Sequence, residues 1–498
     1  MDKTRAYLLA IFAGLAIAQT LATIQVHLSN SELSHHLQVL ADAGYFTVPS
    51  PAVLDKAVEL KAAFWGGLFF TVTIGAGMIM ATLVVVSVWR RFFPDRRVFY
   101  MPLFLIWLFI NIVVNSKGIL AIETAYFSLL PAVVGIILWR NTPRGNALVS
   151  WRHSALPVMA VAVLALMWTT QFRDTMFLSV RDYLLLGNPI GQKINDYYYA
   201  YTLYPVNTFK RVDHQLLKSV NFRATDAGES KERVERSLRN LNYLDIGSRR
   251  DADITISIKD QMMFLSSGDK QVVSIPVAEF SADPLPGLTQ FSEKTDRHRF
   301  FRTVCFYGLL IGFPLLLFSI SYLSLSFIFG KLFGPVGASL ATAVVCFIAG
   351  IALFWPVFKG NRYESGIQDV QTAIAADQWQ TRVGALKRIH DQNMDLVEFP
   401  VYKDLLTTGN IPERYWLARA LGKSRSPDTY ADLLMLLDDP HPNVVCQAFY
   451  AIGARGNQKA VPIILKKIEK YDHWYAQGYG YRALRSLGWK QEKSRSIN

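Results

Sequence analysis

The chain has 498 residues, of which 51% are apolar and only 18% are charged, and its formal net charge is +13. A soluble domain carries about a quarter charged residues, so the composition argues against a chain that is soluble throughout. The positive charge stands in short clusters beside apolar stretches and no nucleic-acid reader motif accompanies it, so we expect no nucleic-acid partner. The three cysteines, Cys305, Cys346 and Cys446, form no zinc, haem or disulfide pattern.

Apolar stretches near the N-terminus and before the C-terminal part predict a polytopic bundle of about seven transmembrane helices. A helix needs about 20 mostly apolar residues to cross a bilayer. In the first stretch, Lys3, Arg5 and Ala16-Ile17-Ala18 also fit a signal peptide, but the apolar run continues to Val26 and favours an uncleaved anchor. The stretches cover residues 7–26, 63–89, 99–114, 119–139, 156–170, 301–329 and 336–358.

Basic residues predict which side of the membrane each loop faces. Three clusters, Lys3–Arg5, Arg90–Arg97 and Arg140–Arg152, fit the cytoplasm under the positive-inside rule. The soluble parts would then be periplasmic in a bacterial inner membrane, and membrane lipid is an expected partner. Five basic residues flank the last two stretches and favour the cytoplasm for these flanks: Arg297, Arg299, Arg302, Lys359 and Arg362. The side of the membrane on which the C-terminal part lies therefore stays open.

Residues 29–61 predict an extracytoplasmic helical hairpin. Leucines from Leu33 to Leu40 recur at helical spacing, and Gly44 is a plausible end of that helix. Ser50 and Pro51 are a good N-cap and first residue for a second helix, which we expect to continue into the second apolar stretch.

Glu32, His35 and His36 share one side of the first hairpin helix, with His27 one or two turns earlier. Spacings of three and four residues can bring a carboxylate and imidazoles to one metal ion. No second cluster completes the coordination sphere, which favours a solvated polar face.

Residues 172–299 form the first sizeable soluble region. Its opening segment, Met176–Leu185, predicts an amphipathic helix on the membrane face. Tyrosines then crowd a segment that ends at Pro205, and they fit either an interfacial aromatic belt or anchors for a partner or lipid. These candidates are Tyr197, Tyr198, Tyr199, Tyr201 and Tyr204.

The rest of this region predicts a small α+β module. Residues 229–240 read as a charged helix, and the alternating isoleucines of Ile254–Ile258 read as a strand. Two further strands, Met263–Leu265 and Val272–Val277, flank a turn at Gly268-Asp269. We find no paired nucleophile and base in it.

Glu123 is an acid inside the fourth apolar stretch, and a charge there is a functional hypothesis by default. Asn111, Asn115 and Lys117 lie at the facing end of the preceding stretch and could satisfy the carboxylate. The alternatives are a proton or ion relay and an acid held near the membrane boundary.

From about Gly366 the chain is self-similar. The last apolar residues of four units are Ile389, Leu421, Ile452 and Leu487, at spacings of 32, 31 and 35, a period typical of stacked helical pairs. The third unit, Leu433–Val445 followed by Ala448 to Gly453, resembles the short HEAT-like repeats of bilin lyases and many bacterial scaffolds. The resemblance implies an α-solenoid whose curved face binds another macromolecule, and it does not imply lyase activity.

Aromatic residues concentrate in the last unit, at Trp474, Tyr475 and Tyr479. They fit either a contact surface for a partner or a capping repeat that fills its own core.

The sequence therefore predicts a mainly α protein with a transmembrane bundle, an α+β module and a C-terminal α-solenoid. No catalytic motif, cofactor site or metal site is predicted. We expect a membrane-integral scaffold or assembly subunit that holds protein partners. The alternatives are a transporter or lipid-handling protein that uses Glu123, and a membrane enzyme that uses His35 and His36. The expected domains are 1–171 with the hairpin at 29–61, then 172–299, 300–358 and 359–498.

Overall fold

The computed structural model describes residues 3–92, 100–142, 151–201, 209–223, 229–247 and 251–493. The chain is mainly helical, with 73% helix and a small mixed sheet. It divides into two compact units, each built from three separate segments. The first unit comprises Met1–Gln25, Phe64–Tyr198 and Arg299–Ala385, and the second comprises Val26–Ala63, Tyr199–His298 and Leu386–Asn498.

Apolar helices make up most of the first unit. In the described part of the chain, five are long and apolar enough to cross a membrane by length and composition: Thr4–Asp42, Leu60–Arg90, Ala121–Asn141, Arg299–Phe329 and Val336–Ser365. Two more apolar helices, Met101–Asn115 and Leu156–Thr169, are shorter. Each of the seven predicted stretches thus contains an apolar helix, and the count of seven spans stays a prediction.

Two of these helices contain π-helical segments, Thr71–Gly75 and Gly308–Gly312. Pro314 follows the second segment and lacks the N–H that a regular helix needs there, which accounts for the local widening. A Cβ on Gly312 would lie 2.6 Å from Gly77 Cα, so the two helices cross in backbone contact.

The segment after the fifth apolar stretch belongs to the first unit as far as Tyr198. It is helical over Met176–Ser179, π-helical over Val180–Leu185 and helical again over Pro189–Tyr201. Tyr183 donates a hydrogen bond to Glu364 Oε2 at 3.1 Å, and its ring lies 5.8 Å from that of Trp379. A Cβ on Gly360 would lie 2.3 Å from the Tyr183 ring, so this contact requires glycine.

The predicted hairpin differs from the structure in two ways. The first helix is continuous over Lys3–Asp42, with no break before Ser29, because neither proline nor glycine interrupts residues 15–42. Gly44, at φ +85°, follows it as predicted. The second helix, Pro51–Val58, begins with Pro51 as predicted, but it does not continue: a new helix, Leu60–Phe70, starts after Glu59, whose ψ of 141° is not helical.

The α+β module carries a five-stranded sheet with strand order β2-β1-β3-β4-β5. β1 is parallel to β2 and β3, whereas β3, β4 and β5 form an antiparallel meander, with Gly268 at φ +58° in the predicted turn. The predicted helix and three strands are confirmed, and two strands and two helices were missed. The bounds are β1 Lys218–Phe222, helix Glu229–Asn240, β2 Tyr243–Asp245, β3 Ile254–Lys259, β4 Met262–Ser267, β5 Lys270–Pro276, and helices Val277–Ala282 and Leu285–Thr295.

The core of this module lies between the sheet and its helices. Val234 and Leu238 of the first helix pack with Ile254 and Ile256 of the central strand, and all four are fully buried. The helix connects β1 to the parallel strand β2. Burial of its apolar residues against the sheet stabilises this β1–helix–β2 unit.

Each repeat centre predicted from the sequence falls in a helix: Trp379–Asp391, Ile411–Leu421, Pro442–Arg455 and Trp474–Ser486. The intervening helices are Val370–Ile374, Asp428–Met435 and Val461–Lys470, with short 3-10 turns between them. A Cβ on Gly422 would lie 2.8 Å from Ala451 Cβ, and one on Gly453 would lie 3.0 Å from Ala483 Cα. Small residues therefore let consecutive helices stack closely.

Candidate partner-binding face of the repeats

Cations and aromatic rings alternate across successive repeat helices of the second unit. Lys387 Nζ lies 5.0 Å from the centre of the Trp416 ring. The Arg419 guanidinium carbon lies 4.9 Å from the same ring and 5.8 Å from the Tyr450 ring. Trp416 and Arg419 are three residues apart and therefore share one side of their helix. Both contacts of Arg419 are within the range of cation–π attraction.

The last repeat continues this arrangement. The Arg482 guanidinium carbon lies 5.4 Å from the Tyr479 ring, and Tyr475 lies 5.0 Å from both Tyr479 and Tyr199. Burial raises the pKa of Tyr475 above its usual value, and the neighbouring Tyr479 and Tyr199 raise it further. Tyr475 is therefore neutral at physiological pH and acts as a packing and hydrogen-bonding group.

The charge of this surface is positive. Within the described part of the chain, neither Arg419 nor Arg482 forms an ion pair with a carboxylate, and the buried Nε of Arg419 has no hydrogen-bond partner. Lys210 lies close enough to Arg482 that its pKa, lowered mainly by burial, is lowered further by that charge. We call the set Lys387, Trp416, Arg419, Tyr450, Tyr479 and Arg482 the basic aromatic face.

Comparison with known families assigns the repeats. A family model for HEAT repeats matches residues 400–485, from the second predicted unit into the fourth. The C-terminal part of the chain therefore contains HEAT repeats, as its sequence pattern indicates. No significant match is found among curated proteins or among solved structures.

Most residues of the basic aromatic face escaped the sequence reasoning. A signal was present, because Lys387, Arg419 and Tyr450 each stand two residues before the last apolar residue of their repeat. Equivalent positions of stacked repeats line up in space. Comparison of equivalent repeat positions would have grouped these three side chains, of which Lys387 is buried and Tyr450 is exposed.

The predicted tyrosines are divided between the two units. In the first unit, the Tyr197 hydroxyl donates to Trp65 O at 3.0 Å, and the Tyr198 ring lies 6.1 Å from Phe69. In the second unit, Tyr199 contacts Tyr475. Tyr201 is half-buried, and Tyr204 lies outside the described residues. Whether any of them binds a partner stays a prediction.

The aromatic residues of the last repeat also make contacts inside the second unit. Trp474 packs against Val53 and Ala57 of the hairpin. The Tyr481 hydroxyl donates to Asn242 Oδ1 at 3.0 Å, beside the end of the module's first helix. Both contacts favour a capping role for this part of the repeat, and the predicted binding role of Trp474, Tyr475 and Tyr479 stays a prediction.

Three of the predicted intramembrane polar residues, Asn111, Asn115 and Glu123, lie on two neighbouring helices, and Lys117 lies in the turn between them. Glu123 is buried, with 4% of its surface exposed, whereas Lys117 is exposed. Asn115 Nδ2 donates to Thr124 Oγ1 at 2.8 Å, and Asn111 Oδ1 accepts from Ser128 Oγ at 3.2 Å. The two asparagines thus bond to the helix that carries Glu123.

The histidines of the hairpin do not assemble a metal site in the described part of the chain, where no group of three or more metal-ligating side chains occurs. His36 Nε2 lies 3.7 Å from Asp253 Oδ2 of the module. His35 and Glu32 are exposed. This arrangement offers one acid–imidazole contact and no coordination sphere.

Proposed function

We propose that the protein is a membrane-integral scaffold that holds an acidic segment of a protein partner on its basic aromatic face. The observation that carries the proposal is Arg419, whose guanidinium lies between two aromatic rings without a carboxylate partner in the described part of the chain. HEAT repeats commonly mediate protein–protein interaction, which supports the same assignment.

The physical chemistry of Arg419 favours an acidic partner. The contacts with the Trp416 and Tyr450 rings restrain the guanidinium, which carries a planar set of N–H donors. A carboxylate that accepts two of these donors forms a charge-assisted pair, which is roughly twice as strong as a neutral hydrogen bond. Tyrosine, tryptophan and arginine are also the residues that dominate binding energy at protein interfaces.

The apolar helices support an anchor in the bacterial inner membrane. Five are long enough to span by length and composition. The short basic clusters between them support a periplasmic location for the soluble parts, although Arg96, Arg97 and Arg144 of these clusters lie outside the described residues. A reporter fused after Asn498 tests the location: activity of a periplasmic reporter supports it, and a cytoplasmic signal contradicts it.

A photo-crosslinking amino acid at position 450 tests the binding face, because Tyr450 is 49% exposed. We expect one crosslinked partner whose labelled peptide is rich in Asp and Glu. Arg419→Glu should lower the crosslinking yield by about 10-fold or more, which corresponds to about 1.4 kcal/mol of binding free energy. Lys423→Glu makes the same charge change at an exposed lysine two residues beyond the helix and should leave the yield unchanged. Equal yields for both variants would contradict the proposal.

A second candidate function is transport or lipid handling through the bundle. Glu123 is buried in an apolar helix, and the buried hydroxyl of Tyr126, one turn later, has no hydrogen-bond partner in the described part of the chain. An acid and a phenol at this spacing lie on one side of the helix and fit a proton or cation path. Full activity of a Glu123→Gln variant in cells would remove this candidate.

A further inference from the structure

The end of the last apolar helix, Pro335–Ser365, combines exposed aromatic and basic side chains. Trp355 is 55% exposed, one turn before Lys359, and Arg362 follows on the next turn. Tryptophan at the headgroup level with cations just beyond it is the usual composition of a membrane boundary. If the helix crosses a bilayer, this boundary therefore lies near residues 355–362.

A groove of about 670 Å³ opens at this end, within the first unit. One wall is the helix end, with Trp355, Phe358, Lys359, Arg362 and Tyr363. The other wall is the chain from residue 366 to residue 381, which contains the helix Val370–Ile374.

The second wall is packed and is not a loose loop. Three apolar residues of this wall, Ile367, Val370 and Ile374, are buried, with 6%, 9% and 1% of their surfaces exposed. A Cβ on Gly384 would lie 2.6 Å from Ile367 Cδ1, so the following helix presses directly on this wall. This wall is therefore held in place by its own packing.

The two cations of the groove are available to a ligand. Within the described part of the chain, neither Lys359 nor Arg362 forms an ion pair, and Lys359 Nζ lies 5.5 Å from the centre of the Tyr363 ring. Glu364, the nearest acid in sequence, accepts a hydrogen bond from Tyr183.

Asp369 contributes a carboxylate to the lining of the groove, and this carboxylate caps the N-terminus of the helix Val370–Ile374. Its oxygens accept hydrogen bonds from the backbone N–H groups of Gln371 at 3.2 Å and Thr372 at 2.9 Å. Bonds from Thr372 hold the pKa of Asp369 below its usual value, so it is ionised as the N-cap of Val370–Ile374. The groove therefore keeps an excess of one positive charge.

We propose that this groove binds the headgroup of an anionic phospholipid, an inference that rests on the membrane location proposed above. The phosphate would sit between Lys359 and Arg362, and the acyl chains would follow Trp355 and Phe358 along the helix. Basic pockets beside transmembrane helices bind anionic headgroups, and Arg and Lys together provide both a planar and a point-charge donor for phosphate. Continuity of the groove with the apolar helix favours a lipid over an acidic peptide as the occupant.

Native mass spectrometry of the full chain in mild detergent tests the site, with phosphatidylglycerol and phosphatidylcholine as probes. We expect the parent protein to retain phosphatidylglycerol preferentially. The double variant Lys359→Gln/Arg362→Gln should bind it at least about 10-fold more weakly, whereas the charge-conserving Lys359→Arg/Arg362→Lys should retain it.

Lys331→Gln is the matched control. Lys331 is an exposed lysine beside another apolar helix, with its Nζ 4.8 Å from the Phe327 ring, and it lies outside the groove. It should bind phosphatidylglycerol like the parent. Equal retention by the double variant, or equal retention of both lipids by the parent, would overturn the inference. So would displacement of the lipid by an acidic peptide such as poly-glutamate.

Alkaline extraction of native membranes, done before any lipid is added, separates this inference from its premise. Retention of the chain in the membrane pellet supports the membrane location, and the lipid test then decides the groove alone. Release into the supernatant would overturn the membrane location and the lipid site with it.

Discussion

Gln477 and Ser50 are joined by two hydrogen bonds although they lie 427 residues apart in the chain. Gln477 Oε1 accepts from the Ser50 backbone N–H at 2.8 Å, and Gln477 Nε2 donates to Ser50 Oγ at 3.0 Å. The same Nε2 also donates to Tyr471 O at 2.6 Å. Ser50 is the N-cap residue of Pro51–Val58 as predicted, but its side chain makes no capping hydrogen bond and its Oγ accepts from Gln477.

We expect Gln477→Ala to destabilise the second unit. Gln477 is fully buried, and its loss leaves the Ser50 N–H and the Tyr471 carbonyl without their partner. A buried group stranded in this way costs about 1–3 kcal/mol, so the melting temperature should fall. Gln392, which is exposed, provides the control Gln392→Ala with no expected change. Thermal unfolding in detergent measures both, and equal melting curves would contradict the prediction.

Arg414→Ala should destabilise the HEAT repeats more strongly. Arg414 Nε lies 2.6 Å from Asp439 Oδ2, and the two side chains are only 9% and 4% exposed. Removal of the cation leaves a buried carboxylate unpaired, at a cost of about 3–5 kcal/mol. Arg425→Ala, at an exposed arginine of the same repeat region, should change the unfolding midpoint little. A denaturant titration followed by tryptophan fluorescence compares the two, and similar shifts would show that the ion pair contributes little.

Gly312→Ala should disturb the first unit, because its Cβ would lie 2.6 Å from Gly77 Cα, a backbone atom that cannot rotate away. Overpacking of this kind costs about 1–3 kcal/mol. Gly135→Ala is the control, since its Cβ would lie 4.0 Å from Thr82 Cγ2, an ordinary contact. Detergent-solubilised yield and melting temperature should fall for Gly312→Ala and stay near the parent values for Gly135→Ala.

The stability of the α+β module should rise with pH above neutrality because of Lys218. Burial lowers the pKa of Lys218 to about 8, with 6% of the residue exposed. The pKa in the unfolded chain is about 10.4, so between these values the unfolded state binds more protons and the free energy of unfolding increases with pH. The full effect across this window is about 3 kcal/mol.

Melting temperatures of the parent and of Lys218→Met between pH 7.5 and 9.5 check this. Methionine does not titrate, so the parent should gain stability relative to the variant as pH rises. Lys259→Met, at an exposed lysine of the same sheet, corrects for other titrating groups and should show a constant difference from the parent. A constant difference for Lys218→Met as well would contradict the expected shift.

Local patterns predicted the secondary structure where one face of an element is buried. Ile254, Ile256 and Ile258 alternate and form β3, and the repeat centres are helical. β1 was missed because Lys218, Ser219 and Asn221 read as polar, yet all five residues of the strand are buried. Lys218 and Ser219 find polar partners inside the fold: Lys218 Nζ donates to Leu241 O at 2.9 Å and Ser219 N–H donates to Asp253 Oδ2 at 2.7 Å. No local pattern contains that information.

The candidate site was only partly visible in the sequence. The period of the repeats and the small residues that pack them follow from local spacing, and the HEAT assignment confirms that reading. The pairing of Arg419 with Tyr450 depends on how two helices stack, and it appears only when repeat positions are compared. The groove at Lys359 and Arg362 joins a helix end to a wall formed by the chain that follows, so its volume has no sequence signature.

The sequence by itself determined the helical class, the apolar helices, the repeat period and the absence of a recognisable catalytic motif, because each depends on residue type and short-range spacing. The tertiary structure decided which polar groups are satisfied and, among the described residues, which cations have no carboxylate partner. It joined Ser50 to Gln477 and Tyr183 to Glu364 across long stretches of chain. Such contacts are selected by the burial of the whole unit, since a buried polar group must find its partner wherever the fold brings one within reach.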